Sequence, residues 1–536
     1  ASVLFDASSF FLKEDRFFPI IAKNVGSYSV SSSLKENLSR ITALKVFERN
    51  ACIKMDRHYL VSLSGKSGTP ISNYPVTIGV NFTLALLPSE QMTPRLSDTR
   101  VGMFLINKDV LASDGSVDKA TFVKRWRIEP KDTAAYFSGT PTEPVKPIVF
   151  YVENTFPPLW KRAIKAGILW WNKAFERIGF KNVMQVADFP TDNPDFDPDN
   201  FAYSCIRYLP TDVENAMGPS WTDPRTGEII NATVLVYNDV VNTIDNWRLV
   251  QTAQLDPAAR AAQMPDSIVE QTLEYIIAHE VGHTLGLMHN MGASNAYTIE
   301  NLRSPEFTKE HGTTPSIMDY ARNNFVAQPG DYERGVRLTP PILGKYDIAA
   351  IKWGYSLLPE TFRGDTEGEK KQLRKMLEEN AKDPMLLFGA QQFPNTVDPT
   401  AQTEDLSNDH FTAGDMSISN LKIITKNIDK WLYQEGEDYR DLEEVYYQIV
   451  GQYMRHVGHI VAHIGGIVFS ESRQGDGKPS YTYVPRSEQK RAVEWLGSQA
   501  HEVSTWLLRQ DLLNRIDNGS NTLVKQFTNS FVGNFF

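Results

Sequence analysis

Ala278-His279-Glu280-Val281-Gly282-His283-Thr284-Leu285-Gly286-Leu287-Met288-His289-Asn290 decides how the rest of the chain is read. On a helix, His279 and His283 lie four residues apart, so both imidazoles leave one face a turn apart. That spacing suits two ligands of one tetrahedral zinc ion. Glu280 follows the first histidine, where a carboxylate can lean over the metal and hold a water. Gly286 comes three residues after His283. Glycine accepts a left-handed backbone at little cost and can stop a helix abruptly. The resulting turn brings His289 round as a third ligand. Three protein ligands leave a fourth position open, the mark of a catalytic rather than a structural zinc.

Histidine makes up only 10 of 536 residues. On ordinary composition, a bare His-Glu-x-x-His arises by chance in roughly one chain of this size in a hundred. The added glycine and third histidine at fixed offsets make coincidence rarer still, so an amphipathic core helix with incidental histidines is the weaker reading. Upstream, Pro265-Asp266-Ser267 supplies a capping residue, Glu270 sits in the first turns, and Ile268, Leu273, Ile276 and Ile277 give apolar faces. The pattern predicts a helix from about Asp266 to Leu285.

The long signature His279-Glu280-x-x-His283-x-x-Gly286-x-x-His289 resembles that of the metzincin metallopeptidases. Ser316-Ile317-Met318-Asp319-Tyr320 fits the methionine turn of that clan. More of the chain is similar to the zinc-dependent metalloproteases secreted by Bacteroidetes, whose Met-zincin domain sits between family-specific flanks. The segments that carry this likeness are Pro94 through Gly102, Asp223-Pro224-Arg225-Thr226-Gly227-Glu228, Ser316 through Asp331, Tyr346-Asp347 and Trp353-Gly354-Tyr355. The likeness is strongest over 145–355.

The resemblance implies that Met318 packs beneath the zinc histidines without binding metal. It implies that Tyr320 is a further zinc ligand or an oxyanion partner, the alternative being an ordinary buried tyrosine. It also implies that the strand two before the zinc helix, about 216–221 by order, is a sheet edge. Such an edge can hold an extended peptide by strand addition.

Composition bounds the alternatives. A chain of 536 residues is too long for one core, so two or three domains are expected. Net charge is −10, which argues against a nucleic-acid partner. No apolar run reaches the roughly 18 residues of a transmembrane helix. The chain opens on Ala1 without a signal-peptide pattern, and a leader is expected to have been removed or omitted. Together with the resemblance, that makes an exported, periplasmic or extracellular protein the expectation. Cys52 and Cys205 lack Cys-x-x-Cys spacing. They read as two buried thiols or as one disulfide, and the residues around Cys52 do not match a latency propeptide.

Residues 1–140 read as mostly β. Leu44–Glu48, Tyr59–Leu63 and Val76–Pro88 carry alternating and β-branched apolar residues, and Gly65-Lys66-Ser67-Gly68 marks a turn. Arg95, Asp98 and Arg100 form an ion-pair cluster or reach toward the cleft. A catalytic domain is expected over 145–358, opening with the strand Pro147–Val152 and a helix from Pro158 to Phe180. Asp192, Asp195, Asp197 and Asp199 offer oxygen ligands for calcium, but their spacing matches no EF-hand, and an ordinary acidic surface loop is the favoured reading. Strands are expected over Phe201–Leu209 and Ile229–Tyr237. Residues 359–536 read as mainly helical, with Asp441–Val461 and Arg486–Arg509 clearest. His456, His459 and His463 have helical spacing but no neighbouring carboxylate or cysteine, so hydrogen-bonded packing is favoured over a second metal.

The expectation is an α+β protein with a metzincin-like catalytic domain between a β-rich and a helical flank. It is expected to be a zinc endopeptidase with Glu280 as general base and a protein or peptide as substrate. Two other classes share the motif: a zinc hydrolase of a non-peptide amide, and a non-catalytic adhesion protein on the same fold.

Overall fold

The alternating apolar residues near the N-terminus form strands that organise around one long member. In the computed structural model, which describes residues 6–14, 19–25, 28–65, 70–111, 115–211, 213–340 and 343–516, that member is β4 (Asn50–Gly65). It pairs antiparallel along one edge with β5 (Ile71–Ala85). Its other edge carries β2 (Tyr28–Leu34) and β3 (Arg40–Val46), and β1 (Asn24–Val25) adds to β2. Positions 66–68 of the expected turn lie outside the described residues. Phe11, Ile53 and Met55 form the small core of this sheet.

The chain divides into two compact units, Ala1–Glu90 with Thr191–Tyr203, and Gln91–Pro190 with Ser204–Phe536. The acidic loop belongs to the first unit. There Asp197 and Asp199 each lie 2.7 Å from the Lys45 ammonium, and Asp199 lies 2.7 Å from Lys54 as well. Burial tends to raise the Asp199 pKa, but the two lysines outweigh it and hold the carboxyl below its usual range. Lysine therefore neutralises these carboxylates, and among the described residues no carboxylate cluster has the geometry of a metal site. Cys52 and Cys205 are both buried, and neither forms a disulfide.

The second unit opens with an antiparallel ribbon, β6 (Leu105–Leu111) and β7 (Val117–Val123). Its main sheet comprises β8 (Ile148–Val152), β9 (Met184–Asp188), β10 (Ser204–Leu209), β11 (Ala216–Met217), β12 (Ser220–Thr222) and β13 (Ile229–Tyr237). The order is β11-β13-β10-β8-β9, with β12 also on β13. The four strands β13, β10, β8 and β9 are parallel, whereas β11 and β12 run antiparallel to β13 at the opposite edge from β9. The sheet edge expected near 216–221 is therefore present.

Parallel strands need covering helices. The Pro158–Leu169 helix packs along the Asp266–Thr284 helix, which starts at the expected residue. The helix expected through Phe180 is shorter. It ends at Leu169, and a separate turn, Asn172–Glu176, follows. The break lets the buried Trp171 donate its indole N–H to the Ala278 carbonyl at 2.9 Å, beneath the start of the signature. The long helices His410–Trp431, Arg440–Val461 and Arg486–Trp506 contribute to the same apolar core as the sheet, which runs from Val101 to Ile516. Among the described residues, no helix is long and apolar enough to cross a membrane.

Candidate metal centre

The Asp266–Thr284 helix carries His279 and His283 on one face, with their ring centroids 4.8 Å apart. Gly286, at φ +93°, then reverses the chain, and no other residue type adopts that backbone without strain. The reversal places His289 so that one nitrogen from each of the three rings lies within 4.8 Å of the others. No other such group of histidine, cysteine or carboxylate side chains occurs among the described residues.

The imidazoles fit a divalent cation in both charge and orientation. Burial, then the neighbouring histidines, drives His279 well below its ordinary pKa, and the same causes lower His283 to about 4. Burial lowers His289 as well. All three are neutral at pH 7, the form that binds metal. Each Nδ1 has an acceptor: the Ile317 carbonyl for His279 at 2.6 Å, the Leu287 carbonyl for His283 at 2.8 Å, and Gln391 Oε1 for His289 at 2.7 Å. With the proton on Nδ1, every Nε2 presents a bare lone pair. The Nε2 atoms of His283 and His289 face each other at 3.1 Å. Two lone pairs at that distance repel unless a cation lies between them. Two nitrogens on one tetrahedral zinc stand about 3.3 Å apart by the usual bond lengths.

Glu280 is 9% exposed, and its carboxyl accepts the Gly218 backbone N–H. Burial pushes it up to about 8. Gly218 joins the edge segments β11 and β12, so the edge strand lies directly over the helix that carries Glu280. A Cβ at Gly218 would overlap the Glu280 carbonyl oxygen. The Tyr320 hydroxyl is 2.9 Å from His289 Nε2, and burial, then Glu280, pushes its pKa up to about 12. The phenol is therefore a neutral donor at the same focus.

Met318 is fully buried, and its thioether occupies the space left by Gly282 between the two helix histidines. Its carbonyl accepts the Asn290 N–H at 3.0 Å. Asp347 fixes the turn from below: it accepts Ser316 Oγ at 2.7 Å and the backbone N–H groups of Ile317 at 2.9 Å and Gly344 at 2.7 Å. The turn and the histidines thus hold each other, since the carbonyl of Ile317 orients His279.

The fragment that decides the family is the chain downstream of 261. A sequence model described as Met-zincin matches residues 261–536, just over half of the chain. The chain belongs to the Met-zincin family. A second model, for a domain of unknown function (DUF5117), matches residues 1–131. No curated protein and no solved structure matches. Met-zincin membership makes this chain a zinc metallopeptidase, acting on a protein or peptide. The Met-zincin match begins after β13, so the edge strand that overhangs the helix lies upstream of it.

Other residues from the sequence reading lie apart from this centre. Arg95, with no exposed surface, binds the carbonyls of Trp353 and Ser356 and pairs with Glu369 at 2.8 Å. Asp98 and Arg100 pair with each other at 2.7 Å. His456 bonds the Gln452 amide and His459 bonds the Thr403 carbonyl, while His463 meets His410 at 3.1 Å and Glu488 at 2.6 Å. Two neighbours of the three histidines carried no local signal in the sequence. Gln391 is one. The other is Phe104, whose ring centroid lies 5.7 Å from that of His283 and whose segment pairs antiparallel with the turn after His283 at Met103 and Leu287.

Proposed function

We propose that this protein is a zinc-dependent endopeptidase in which His279, His283 and His289 hold the metal and Glu280 is the general base. The observation that carries this reading is the convergence of three neutral imidazoles, each oriented through Nδ1, beside a buried carboxyl and under an antiparallel sheet edge. Zinc bound there would supply Lewis acidity, which lowers the pKa of water and polarises a carbonyl.

The chain's own groups do the remaining work. Backbone groups of β11 and β12 take up an extended peptide as an added strand, which orients its scissile carbonyl. The Glu280 carboxylate removes a proton from the attacking water and later delivers it to the leaving amine. The Tyr320 hydroxyl donates to the oxygen that becomes negative in the tetrahedral intermediate. Met318 gives the ligand cage an adaptable apolar floor. A binding-only protein has no use for a carboxyl buried at this position, which favours catalysis. Residues 145–358 are proposed as the catalytic domain, with export as the setting.

The deciding experiment is digestion of a diverse peptide mixture, read by mass spectrometry, with and without a chelator. Internal cuts that stop on chelation and return with about one equivalent of zinc are expected. A zinc-loaded protein that cuts no peptide but releases an amine from a glycan-linked amide would replace the peptidase reading with that of a non-peptide hydrolase. Gly218→Ala separates substrate orientation from metal binding. The added methyl group pushes the edge strand off the helix, so turnover should fall by roughly tenfold or more with zinc content unchanged. Equal turnover would remove the edge strand from the mechanism.

A further inference from the structure

The third ligand has a support that the motif does not contain. His289 Nδ1 lies 2.7 Å from Oε1 of Gln391, 102 residues further along the chain. The other two ligand histidines rest on backbone carbonyls within the signature or the methionine turn, at Leu287 and Ile317. We infer that Gln391 is a positioning residue for the metal site: its side-chain carbonyl fixes the tautomer and ring orientation of His289. The inference rests on the assignment of the three histidines as metal ligands.

The amide is held to this task from both sides. Asn290, next to the ligand, bonds both faces of the approaching segment, giving its Nδ2–H to the Leu387 carbonyl at 3.0 Å and accepting the Gly389 N–H at 2.8 Å. Gly292 N–H adds a bond to the Gly389 carbonyl at 3.1 Å. On the far side, the Gln392 amide makes four hydrogen bonds, to the backbone of Val397, Asp398 and Ala401. Gln391 therefore emerges from a backbone pinned on either flank, and its side chain reaches His289. The amide orientation follows from the ligand: an N–H aimed at Nδ1 would move the ring proton to Nε2 and block coordination. Acceptors behind metal-bound histidines typically change metal affinity by about 10–100-fold.

Gln391 is half-buried and lines an open groove of about 1160 Å³. Shortening it leaves no closed cavity, so substitution is compatible with folding. The test is zinc affinity, measured by competition with a chromogenic chelator for the wild type, Gln391→Met, Gln391→Glu and His283→Ala. Melting of each zinc-free protein and the visible spectrum of each cobalt-substituted form are recorded alongside. Gln391→Met keeps length but loses the acceptor, and should bind zinc about 10–100-fold more weakly with an altered cobalt spectrum and an unchanged zinc-free melting point. Gln391→Glu restores an acceptor and should bind within about threefold of the wild type or more tightly. Wild-type affinity in Gln391→Met would overturn the inference. So would equal weakening in both variants, which would mean packing rather than acceptance. Wild-type affinity in His283→Ala would instead overturn the assignment of the ligands themselves.

Discussion

Glu280→Ala is expected to hold zinc as the wild type does and to lose about a thousandfold in kcat/KM, within the span attributed to a positioned acid–base group. The carboxyl is not needed for the cage, because the three ring nitrogens converge without it and each Nδ1 keeps its acceptor. The backbone donor to it is Gly218, on the edge segment that is to carry substrate. Removing it therefore deletes the proton acceptor while leaving the ligands and the helix in place. The check is zinc stoichiometry together with steady-state kinetics on a peptide identified in the digestion experiment. Glu280→Gln, which keeps the shape, should be nearly as poor. Full activity in either variant would show that the base lies elsewhere.

The second large effect is expected from Gly286→Ala. A single methyl group there meets two obstacles at once. The φ of +93° is costly for any residue with a Cβ, and the new carbon would overlap the Lys124 carbonyl oxygen. That oxygen is held in place, because Lys124 N–H bonds the Phe104 carbonyl at 2.7 Å, while Phe104 N–H bonds the Gly286 carbonyl at 2.7 Å and Met288 N–H bonds the Gly102 carbonyl at 2.9 Å. The backbone cannot retreat without breaking this pairing. A loss on the order of 3 kcal/mol is expected, as for other strained backbone sites, with zinc affinity lowered by at least about tenfold because His289 is displaced. Urea unfolding and chelator competition check the two parts separately. Unchanged affinity would mean that the ligand turn adapts and that the glycine is not what aims the third histidine.

These two residues show what a linear reading can reach. His279, Glu280, His283, Gly286 and His289 lie within eleven consecutive positions, so helix periodicity and one left-handed residue were enough to bring them together. Ile229–Tyr237 was legible for a similar reason, since a buried strand writes its apolar run locally. The Pro158–Phe180 helix was overextended because its apolar stripe continues past Leu169, while the break there serves an indole bond to a helix more than a hundred residues away. Gln391, Phe104 and Asp347 act through contacts that join distant segments. A glutamine between Ala390 and Gln392 looks like any loop residue until the fold brings it to an imidazole. Asp197 and Asp199 illustrate the converse: a linear acidic run hides its counter-charges, because the lysines that neutralise these two carboxylates lie some 150 positions earlier.

The clamp between Asn290 and the 387–389 segment also sets a clock. A ribosome adding 5–20 residues per second makes Gly389 about 5–20 s after Asn290. During that interval the nascent chain carries all three histidines without the segment that braces the last of them. The set of three histidines is thus completed in sequence well before it is completed in space, and a growing chain carries its signature motif unbraced until the 387–389 segment arrives.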